Sequence, residues 1–258
     1  MLALERQNAI MDLLLDQKSV MIADLADKFN VSYETIRRDL KALERETGIE
    51  RTYGGAVLQD PQNRNFSYAN VSRFMKETKN VLAQKALSFI KKNECIFIDF
   101  STTCFPIAQL ISNIHLRLLT NSIDISLALT EKQNINVFLL GGYQDVETHG
   151  LFGPTTINNF TQFNLDKSFI SCRSISIEHG LSDRTEEESI LRSTAIKMSK
   201  EIYLLMDYSK FGWDAFTHTE GLEKVTAIIT DKPLDEEWMA FFNKRGIAVY
   251  CEVLNNKN

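Results

Sequence analysis

The sequence lacks the features that mark membrane-spanning, secreted and metal-binding proteins. It contains no run of about 18 apolar residues, so no transmembrane helix is expected. Its first residues lack the basic start and apolar block of a secretory signal, and a cytoplasmic location is therefore expected. The four cysteines form no CxxC pair and the four histidines are scattered. No disulfide, metal site or cofactor is therefore predicted.

An excess of positive charge is also missing. The chain carries a net charge of −5, and residues 1–57 hold eight basic and ten acidic side chains. Bulk attraction to a nucleic acid is therefore excluded, and DNA binding would need a local basic face. The sequence pattern, and not the charge, must decide whether this chain binds DNA.

The pattern of the first 57 residues predicts a helix-turn-helix followed by a wing. Apolar residues recur at helical spacing within residues 5–15 and 22–29. Asn30-Val31 forms the turn, Ser32 suits the N-cap of a third helix, and Gly48 ends that helix. Residues 49–57 alternate around a Gly-Gly turn, which is typical of a short β-hairpin.

In such an arrangement the third helix enters the DNA major groove. Its start reaches base edges, while neighbouring basic side chains hold phosphates. The alternative is a small helical bundle with a solvated Arg-Arg face. The residues predicted to contact DNA are Ser32, Tyr33, Thr35, Arg37, Arg38 and Lys41 on the helix, with Arg51 and Tyr53 in the wing.

The rest of the chain predicts an α/β domain. Residues 58–75 are rich in Pro, Asn and Gln without an apolar period, which indicates a linker, and a helix is expected at about 76–91. Apolar runs that read as strands then alternate with helical segments, which favours a mostly parallel sheet over 76–258. These runs begin at Cys95, Leu116, Asn136, Lys167, Ile202, Val225 and Ile247.

Polar loops follow several of these strands. Ligands of open α/β sheets bind beyond the carboxyl ends of the strands, and helix starts there bind anions. Hydroxyl-rich helix starts, a diglycine, an aspartate and a lysine suit a small phosphorylated polyol. Each feature alone is as well explained by helix caps and turns. The loops are Asp99–Thr103, Thr120–Ser122, Gly141-Gly142, Phe152-Gly153 and Asp207–Lys210.

Along nearly its whole length the chain resembles the DeoR family of bacterial transcriptional regulators. The N-terminal part matches in Val31-Ser-x-x-Thr-Ile-Arg-Arg-Asp-Leu40 and in Tyr53-Gly-Gly-Ala56. The larger part matches in Asp99-x-x-Thr-Thr103, Leu119-Thr-Asn-Ser122 and Asp207-x-Ser-Lys-Phe-Gly212. The order of these motifs along the chain makes the resemblance specific.

The resemblance implies a small winged helix-turn-helix domain and a larger sensor domain similar to ribose-5-phosphate isomerase and the CoA transferases. It implies a homo-oligomeric repressor of a sugar catabolic operon, with double-stranded operator DNA and a phosphorylated sugar as partners. Carried over onto this sequence, with Ser101 in the place of a family glycine, the effector site comprises Asp99, Ser101, Thr102, Thr103, Asn121, Gly141, Gly142, Glu188, Asp207 and Lys210.

The chain departs from the family pattern at the predicted site. Serines stand at Ser101, Ser171 and Ser174 where the family has glycine, Arg173 lies between the last two, and Arg192 stands where a lysine is frequent. Added side chains hinder close backbone approach to a phosphate. Two other functions therefore stay open: a constitutive DNA-binding protein without an effector, and a sugar-phosphate isomerase-like or CoA-transferase-like enzyme. The helix-turn-helix argues against the enzyme.

Overall fold

Four described helices and a three-stranded sheet build the N-terminal part of the computed structural model, which describes residues 1–47, 49–59 and 67–253. The chain divides into two units, residues 1–76 and 77–258. In the first unit β1 pairs antiparallel with β3, and β3 with β2. Its elements are α1 (Ala3–Gln17), β1 (Ser19–Met21), α2 (Ile22–Phe29), α3 (Tyr33–Thr47), β2 (Glu50–Arg51), β3 (Gly55–Val57) and α4 (Tyr68–Arg73).

The predicted helix-turn-helix and wing are confirmed. The Ser32 Oγ accepts a hydrogen bond from the Thr35 N–H at 3.2 Å, which caps α3. Ile36, Leu40 and Leu43 are at most 2% exposed and pack in the core of this unit. The predicted helix end at Gly48 lies outside the described residues. Gly55 has a steric role, since an added Cβ would lie 1.9 Å from the Val20 carbonyl oxygen on the neighbouring strand.

A buried ion pair joins α1 to α3. The Arg6 Nε donates to the Asp39 Oδ2 at 2.6 Å, and the Gln7 side chain donates to the other carboxylate oxygen at 3.1 Å. The side chains of Arg6 and Asp39 are only 9% and 4% exposed. Asp39 therefore fixes the rotation of α3 about its axis and directs the adjacent Arg37 and Arg38 outward.

Residues 67–75, which the sequence assigns to the linker, belong instead to the N-terminal unit. The Asn70 side chain donates to the Glu46 carbonyl, and the Met75 N–H donates to the Asp12 carboxylate at 2.7 Å. Phe74 is 2% exposed in the N-terminal core. A six-residue helix is too short to show an apolar period, which is why the sequence pattern missed it. Residues 60–66 of the predicted linker lie outside the described part.

A seven-stranded sheet is the centre of the second unit. All of its neighbouring strands are parallel, in the spatial order β6-β5-β4-β9-β12-β14-β15. The seven predicted strands and the predicted α/β class are thereby confirmed. The strands are β4 (Cys95–Ile98), β5 (Leu116–Thr120), β6 (Ile135–Leu139), β9 (Leu165–Ile170), β12 (Ser199–Leu205), β14 (Ala227–Thr230) and β15 (Ala248–Cys251).

Five short strands, which the sequence pattern did not predict, form two antiparallel sheets beside the large one. One has the order β10-β11-β13 and the other is a β7–β8 hairpin. With two to four residues each, these strands are too short for alternation to be read. They are β7 (Tyr143–Gln144), β8 (Leu151–Phe152), β10 (Ser174–Ser176), β11 (Gly180–Asp183) and β13 (Thr217–Glu220).

Helices complete the second unit, and its main core lies between them and the parallel sheet. The expected helix at 76–91 ends at Leu87, although Phe89 and Ile90 still pack against the core. No described helix is both long and apolar enough to cross a membrane. The helices are α5 (Lys76–Leu87), α6 (Phe105–Leu110), α7 (Ile123–Ala128), α8 (Pro154–Phe160), α9 (Glu186–Met198) and α10 (Glu236–Lys244).

Replacing Asp39 with Ala should destabilise the N-terminal unit by about 3–5 kcal/mol, because Arg6 would stay buried without its carboxylate. Hydrogen exchange of the α1 and α3 amides in the full chain measures this loss directly.

The control is Glu34→Ala. Glu34 forms an ion pair with Arg37 at 3.7 Å in which both side chains are more than half exposed. This change should cost less than about 1 kcal/mol. Wild-type protection of α1 and α3 in the Asp39 variant would disprove the role of the buried pair.

Candidate functional site

The exposed face of α3 carries most of the residues predicted to contact DNA. Ser32, Tyr33, Arg37, Arg38 and Lys41 are exposed, and Thr35 is half-buried beside the Ser32 cap. No described residue forms an ion pair with Arg38 or Lys41. These two cations are therefore available to an external anion.

The wing presents the other two predicted residues. Tyr53, at the tip of the turn between β2 and β3, is fully exposed. The Arg51 Nε donates to Glu44 on α3 at 2.8 Å, so this arginine ties the wing to the helix. The N-terminal unit thus joins an exposed basic helix to an exposed wing, which is the geometry of a DNA-reading module.

In the second unit the parallel sheet has a topological switch point between β4 and β9. From β4 the chain proceeds to β5 and β6 on one side, whereas β9 leads to β12, β14 and β15 on the other. Ligands of open α/β sheets bind in the crevice at such a point. Asp99 follows β4 and Ser171 follows β9, and the Ser171 N–H donates to the Asp99 Oδ2 at 3.1 Å.

A buried arginine connects the carboxylates at this point. The Arg192 Nε donates to Asp99 at 2.9 Å, and its Nη1 donates to Asp183 at 2.7 Å and to Glu188 at 3.3 Å. The side chains of Arg192, Asp99 and Asp183 are at most 3% exposed. Burial alone would lower the pKa of Arg192, but the three carboxylates outweigh it and raise that pKa well above its usual value. The guanidinium stays charged.

This network changes the interpretation of two predicted effector residues. Asp99 and Glu188 already accept hydrogen bonds from Arg192, and Glu188 also pairs with Arg184 at 2.9 Å. The sequence pattern missed Asp183 and Arg184 because Asp183 ends the short β11, which it did not identify, and Arg184 directly follows that strand. In the sequence, Arg192 is notable only because it stands where the family frequently has a lysine, and the sequence pattern assigns this arginine no contact.

A lysine occupies the centre of a second cluster. The Lys210 Nζ donates to the Thr103 Oγ1 at 2.9 Å and to the Ser171 Oγ at 2.7 Å, and it lies 3.3 Å from Asp207. Burial alone would raise the pKa of Asp207, but Lys210 and the hydrogen bond from Ser209 hold that pKa below its usual value. Lys210 is 16% exposed, so solvent and a solute can reach its side chain.

The serines that depart from the family pattern all have hydrogen-bond partners within the chain. Ser101 donates to Asp99 and accepts from the Cys104 N–H, Ser171 accepts from Lys210, and Ser174 bonds to the Ser182 hydroxyl at 2.7 Å. The guanidinium of Arg173 lies 5.5 Å from the Trp213 ring centre. These side chains therefore add hydrogen bonds to the carboxyl edge of the sheet as well as bulk.

The remaining predicted effector residues differ in their surroundings. Thr102 is half-buried, next to Thr103. Asn121 is fully buried, and its Oδ1 has no hydrogen-bond partner among the described residues. Gly141 and Gly142 lie beside α8, where an added Cβ on Gly142 would come within 2.1 Å of the Thr156 hydroxyl. Among the described residues, no hydrogen bond links this diglycine to the Lys210 cluster.

A cavity of about 500 Å³ lies between the β7–β8 hairpin, α8 and the start of α9. None of the predicted effector residues lines it, and the acidic residues among its lining are Glu186 and Glu187. The Phe152 ring lines the cavity and packs edge-on against Phe100 at 5.0 Å, next to the Arg192 guanidinium. The lining is mostly apolar and contains no lysine or arginine, so this cavity offers a phosphate group no cation.

The described residues contain no group of three or more His, Cys, Asp or Glu side chains arranged to hold a metal ion. A helix-turn-helix unit followed by an α/β unit with a polar switch point defines the class as a two-part DNA-binding regulator. The DeoR-like helix-turn-helix domain matches residues 6–62, and the DeoR C-terminal sensor domain matches residues 75–232. The chain belongs to the DeoR family of transcriptional regulators.

Curated relatives match over almost the full length. The uncharacterized HTH-type transcriptional regulator YulB of Bacillus subtilis is 33% identical over 259 residues, covering all of both chains. The HTH-type transcriptional repressor GlcR of the same organism is 30% identical, covering 95% of each. The glycerol-3-phosphate regulon repressor of Escherichia coli is 30% identical, covering 89% of this chain and 91% of its own. These relatives are all named as transcriptional regulators or repressors.

Among solved structures, ribose 5-phosphate isomerase A from Methanocaldococcus jannaschii matches 53% of this chain and 55% of its own, with 12% identity and a TM-score of 0.40. The eIF2B delta subunit from Chaetomium thermophilum matches 60% and 55% with 11% identity and a TM-score of 0.43. At these scores neither likeness bears on activity.

The buried carboxylate of Asp231 makes the free energy of unfolding depend on pH. Its burial and the nearby charge of Asp207 raise its pKa from 3.8 to about 6. The folded state therefore disfavours the ionised form, and the wild type loses stability as the pH rises from about 4 through 6. Asp231→Asn keeps an acceptor for the Tyr208 N–H and removes this loss. Its stability relative to wild type should rise by roughly 1–3 kcal/mol between pH 4.5 and 7.5.

Urea unfolding of the full chain at both pH values measures this change. Glu237→Gln removes an exposed carboxylate from α10 and should leave the pH profile as in the wild type. An identical difference between the Asp231 variant and the wild type at both pH values would contradict the prediction.

Proposed function

We propose that this protein represses a sugar catabolic operon and that a phosphorylated sugar, bound at the carboxyl edge of the sensor sheet, controls its affinity for operator DNA. The observation that carries the proposal is the Lys210 cluster at the switch point between β4 and β9. The N-terminal unit of the same chain presents an exposed basic helix. Two relatives, named as the glycerol-3-phosphate regulon repressor and the repressor GlcR, support this class of regulon.

On the DNA side, α3 lies in the major groove. Arg38 reads base edges, Lys41 and Arg51 hold phosphates, and Ser32, Tyr33, Thr35, Arg37 and Tyr53 complete the contact surface. The exposure of Arg38 and Lys41 without internal ion pairs supports these roles. The protein acts in the cytoplasm, as a homo-oligomer whose paired heads read paired half-sites.

On the effector side, Lys210 binds the phosphate, and the sugar hydroxyls bind Ser101, Thr102, Thr103 and Asn121. The unpartnered, fully buried Asn121 Oδ1 supports a hydroxyl donor at that position. Asp99, Glu188 and Asp207 act mainly by holding Arg192 and Lys210 in place, while Gly141 and Gly142 shape the adjacent loop. Binding shifts the population between DNA-competent and released forms.

Arg38→Ala should weaken operator binding by about 5- to 150-fold, because one good bidentate contact to a base contributes roughly 1–3 kcal/mol of discrimination. Lys41→Ala should weaken binding to all sequences alike and make the salt dependence shallower by about one charge. Electrophoretic or fluorescence titration against a site found by footprinting measures both.

The matched control is Lys224→Ala, which removes the same charge from an exposed position in the sensor unit. It should leave affinity near that of the wild type. If Arg38→Ala binds as tightly as this control, α3 does not read the operator.

Lys210→Met should weaken effector binding by about 10- to 150-fold, since a charge-assisted hydrogen bond contributes roughly 1.5–3 kcal/mol. The measurement is the rise in melting temperature that each member of a panel of sugar phosphates produces in the wild type and in the variant. The rise is compared with the ligand-free melting temperature of the same protein. The loss of stability that follows from removing the Lys210–Asp207 ion pair therefore does not enter the comparison.

Lys200→Met is the control, because Lys200 is 75% exposed and pairs with Asp166 on the surface. Its response to the panel should equal that of the wild type. Equal responses in the Lys210 and Lys200 variants would refute the phosphate role of Lys210. Absence of any response in the wild type would favour the constitutive DNA-binding protein, in which Arg192 has replaced the ligand as partner of Asp99 and Glu188.

A further inference from the structure

The outer edge of β6 is open. This strand ends the seven-stranded sheet, and no strand within the described ranges pairs with its outer side. The Leu116 N–H donates to the Asn134 carbonyl and the Leu140 N–H donates to the Thr120 carbonyl. In a parallel ladder the backbone groups of alternate residues face the same neighbour, so those of Ile135, Val137 and Leu139 point away from β5. The Ile135 N–H donates to the Lys132 carbonyl at 2.9 Å, so the outward donors of this edge are the N–H groups of Val137 and Leu139.

This edge lacks the devices that usually protect an open strand. Natural edge strands carry lysine, proline or a bulge that prevents pairing with another chain, whereas β6 reads Ile-Asn-Val-Phe-Leu. Phe138 and Leu139 are 41% and 42% exposed, and Leu127, on the α7 helix that packs against β6, is 62% exposed. An apolar surface therefore flanks a row of outward backbone donors and acceptors.

The two ends of this edge carry opposite charge. Arg117 and Lys132 lie near the start of β6 with one acidic neighbour, Glu131. Near its end lie Asp124, whose carboxylate contacts the His149 ring at 3.1 Å, and the turn of the β7–β8 hairpin, which contains Asp145 and Glu147. An antiparallel pairing of two identical strands would bring the basic end of one against the acidic end of the other.

We propose that the outer edge of β6 is a dimerisation surface, on which β6 of a second copy of this chain pairs antiparallel. Around a twofold axis both copies use the same surface. Each end of the edge then faces the opposite end of the partner's edge, so that opposite charges meet. The pairing would extend the sheet across both copies and cover Leu127, Phe138 and Leu139. The proposal names the surface behind the oligomer assumed under the proposed function.

The test is Val137→Pro in the full chain. Proline removes an N–H that faces outward and donates to no neighbour within the sheet, so the in-chain ladder stays intact while the partner loses its bond. The matched control is Val249→Pro on β15, the opposite edge. There Ala248 and Glu252 donate to β14, so the Val249 N–H also faces outward.

Light scattering after size exclusion, without DNA, should give the wild type at least twice the chain mass of 29.5 kDa. Val137→Pro should halve that mass, and Val249→Pro should keep it. A monomeric wild type, an unchanged mass for Val137→Pro, or an equal loss in both variants would overturn the proposal. Because no operator is present, a failure of DNA binding is a separate result.

A second variant keeps the test decisive if Val137→Pro unfolds, as circular dichroism would reveal. Leu127→Lys combined with Leu139→Lys places charges at exposed positions, where folding does not depend on the side chain. It should raise the dimer dissociation constant by at least about tenfold through like-charge repulsion across the twofold axis. An unchanged dissociation constant would overturn the proposal.

Discussion

The sensor unit depends on one buried guanidinium. Arg192 joins Asp99 after β4, Asp183 on β11 and Glu188 on its own helix, so one side chain fixes α9 against two sheets. Arginine can do this because its planar donors reach several carboxylates at once, which a lysine cannot match. Removing the guanidinium would leave Asp99 and Asp183 buried without their ion-pair partner, while Glu188 would keep Arg184. Such a loss is far more costly than losing a surface pair. The geometry around Lys210 rests on this framework, since Asp99 also accepts from the Ser171 N–H.

The N-terminal unit uses the same principle on a smaller scale. In the run Arg37-Arg38-Asp39, the aspartate is buried against Arg6 while both arginines are exposed. Adjacent residues of one motif therefore have opposite tasks. One orients the helix, and the other two present charge to a duplex. This explains how residues 1–57, which hold more acidic than basic side chains, can still offer a basic face.

Sequence periodicity was sufficient for the long elements and failed for the short ones. The seven apolar runs of the parallel sheet and the capped α3 were predictable because burial on both faces, or a helical stripe, leaves a clear pattern. The helix at Tyr68–Arg73 and the strand Gly180–Asp183 contain too few residues for such a pattern. The predicted cluster around Asp99, Thr103, Asp207 and Lys210 did assemble, since the carboxyl ends of parallel strands meet at one edge. The hydrogen bonds from Arg192 to Asp99 and Glu188 were not predictable. They join Arg192 to one residue that lies 93 positions away in the chain and to another that lies 4 positions away.

The central claim is that a sugar phosphate at the sheet edge and operator DNA at α3 influence each other through one chain. Linkage makes this measurable from both directions. Operator affinity is titrated with and without the sugar phosphate, and sugar-phosphate affinity with and without operator. The account predicts that both affinities change by the same factor, about 5- to 150-fold, and that the dephosphorylated sugar has no effect. An operator affinity that no sugar phosphate alters, in a protein that binds both ligands, would contradict it.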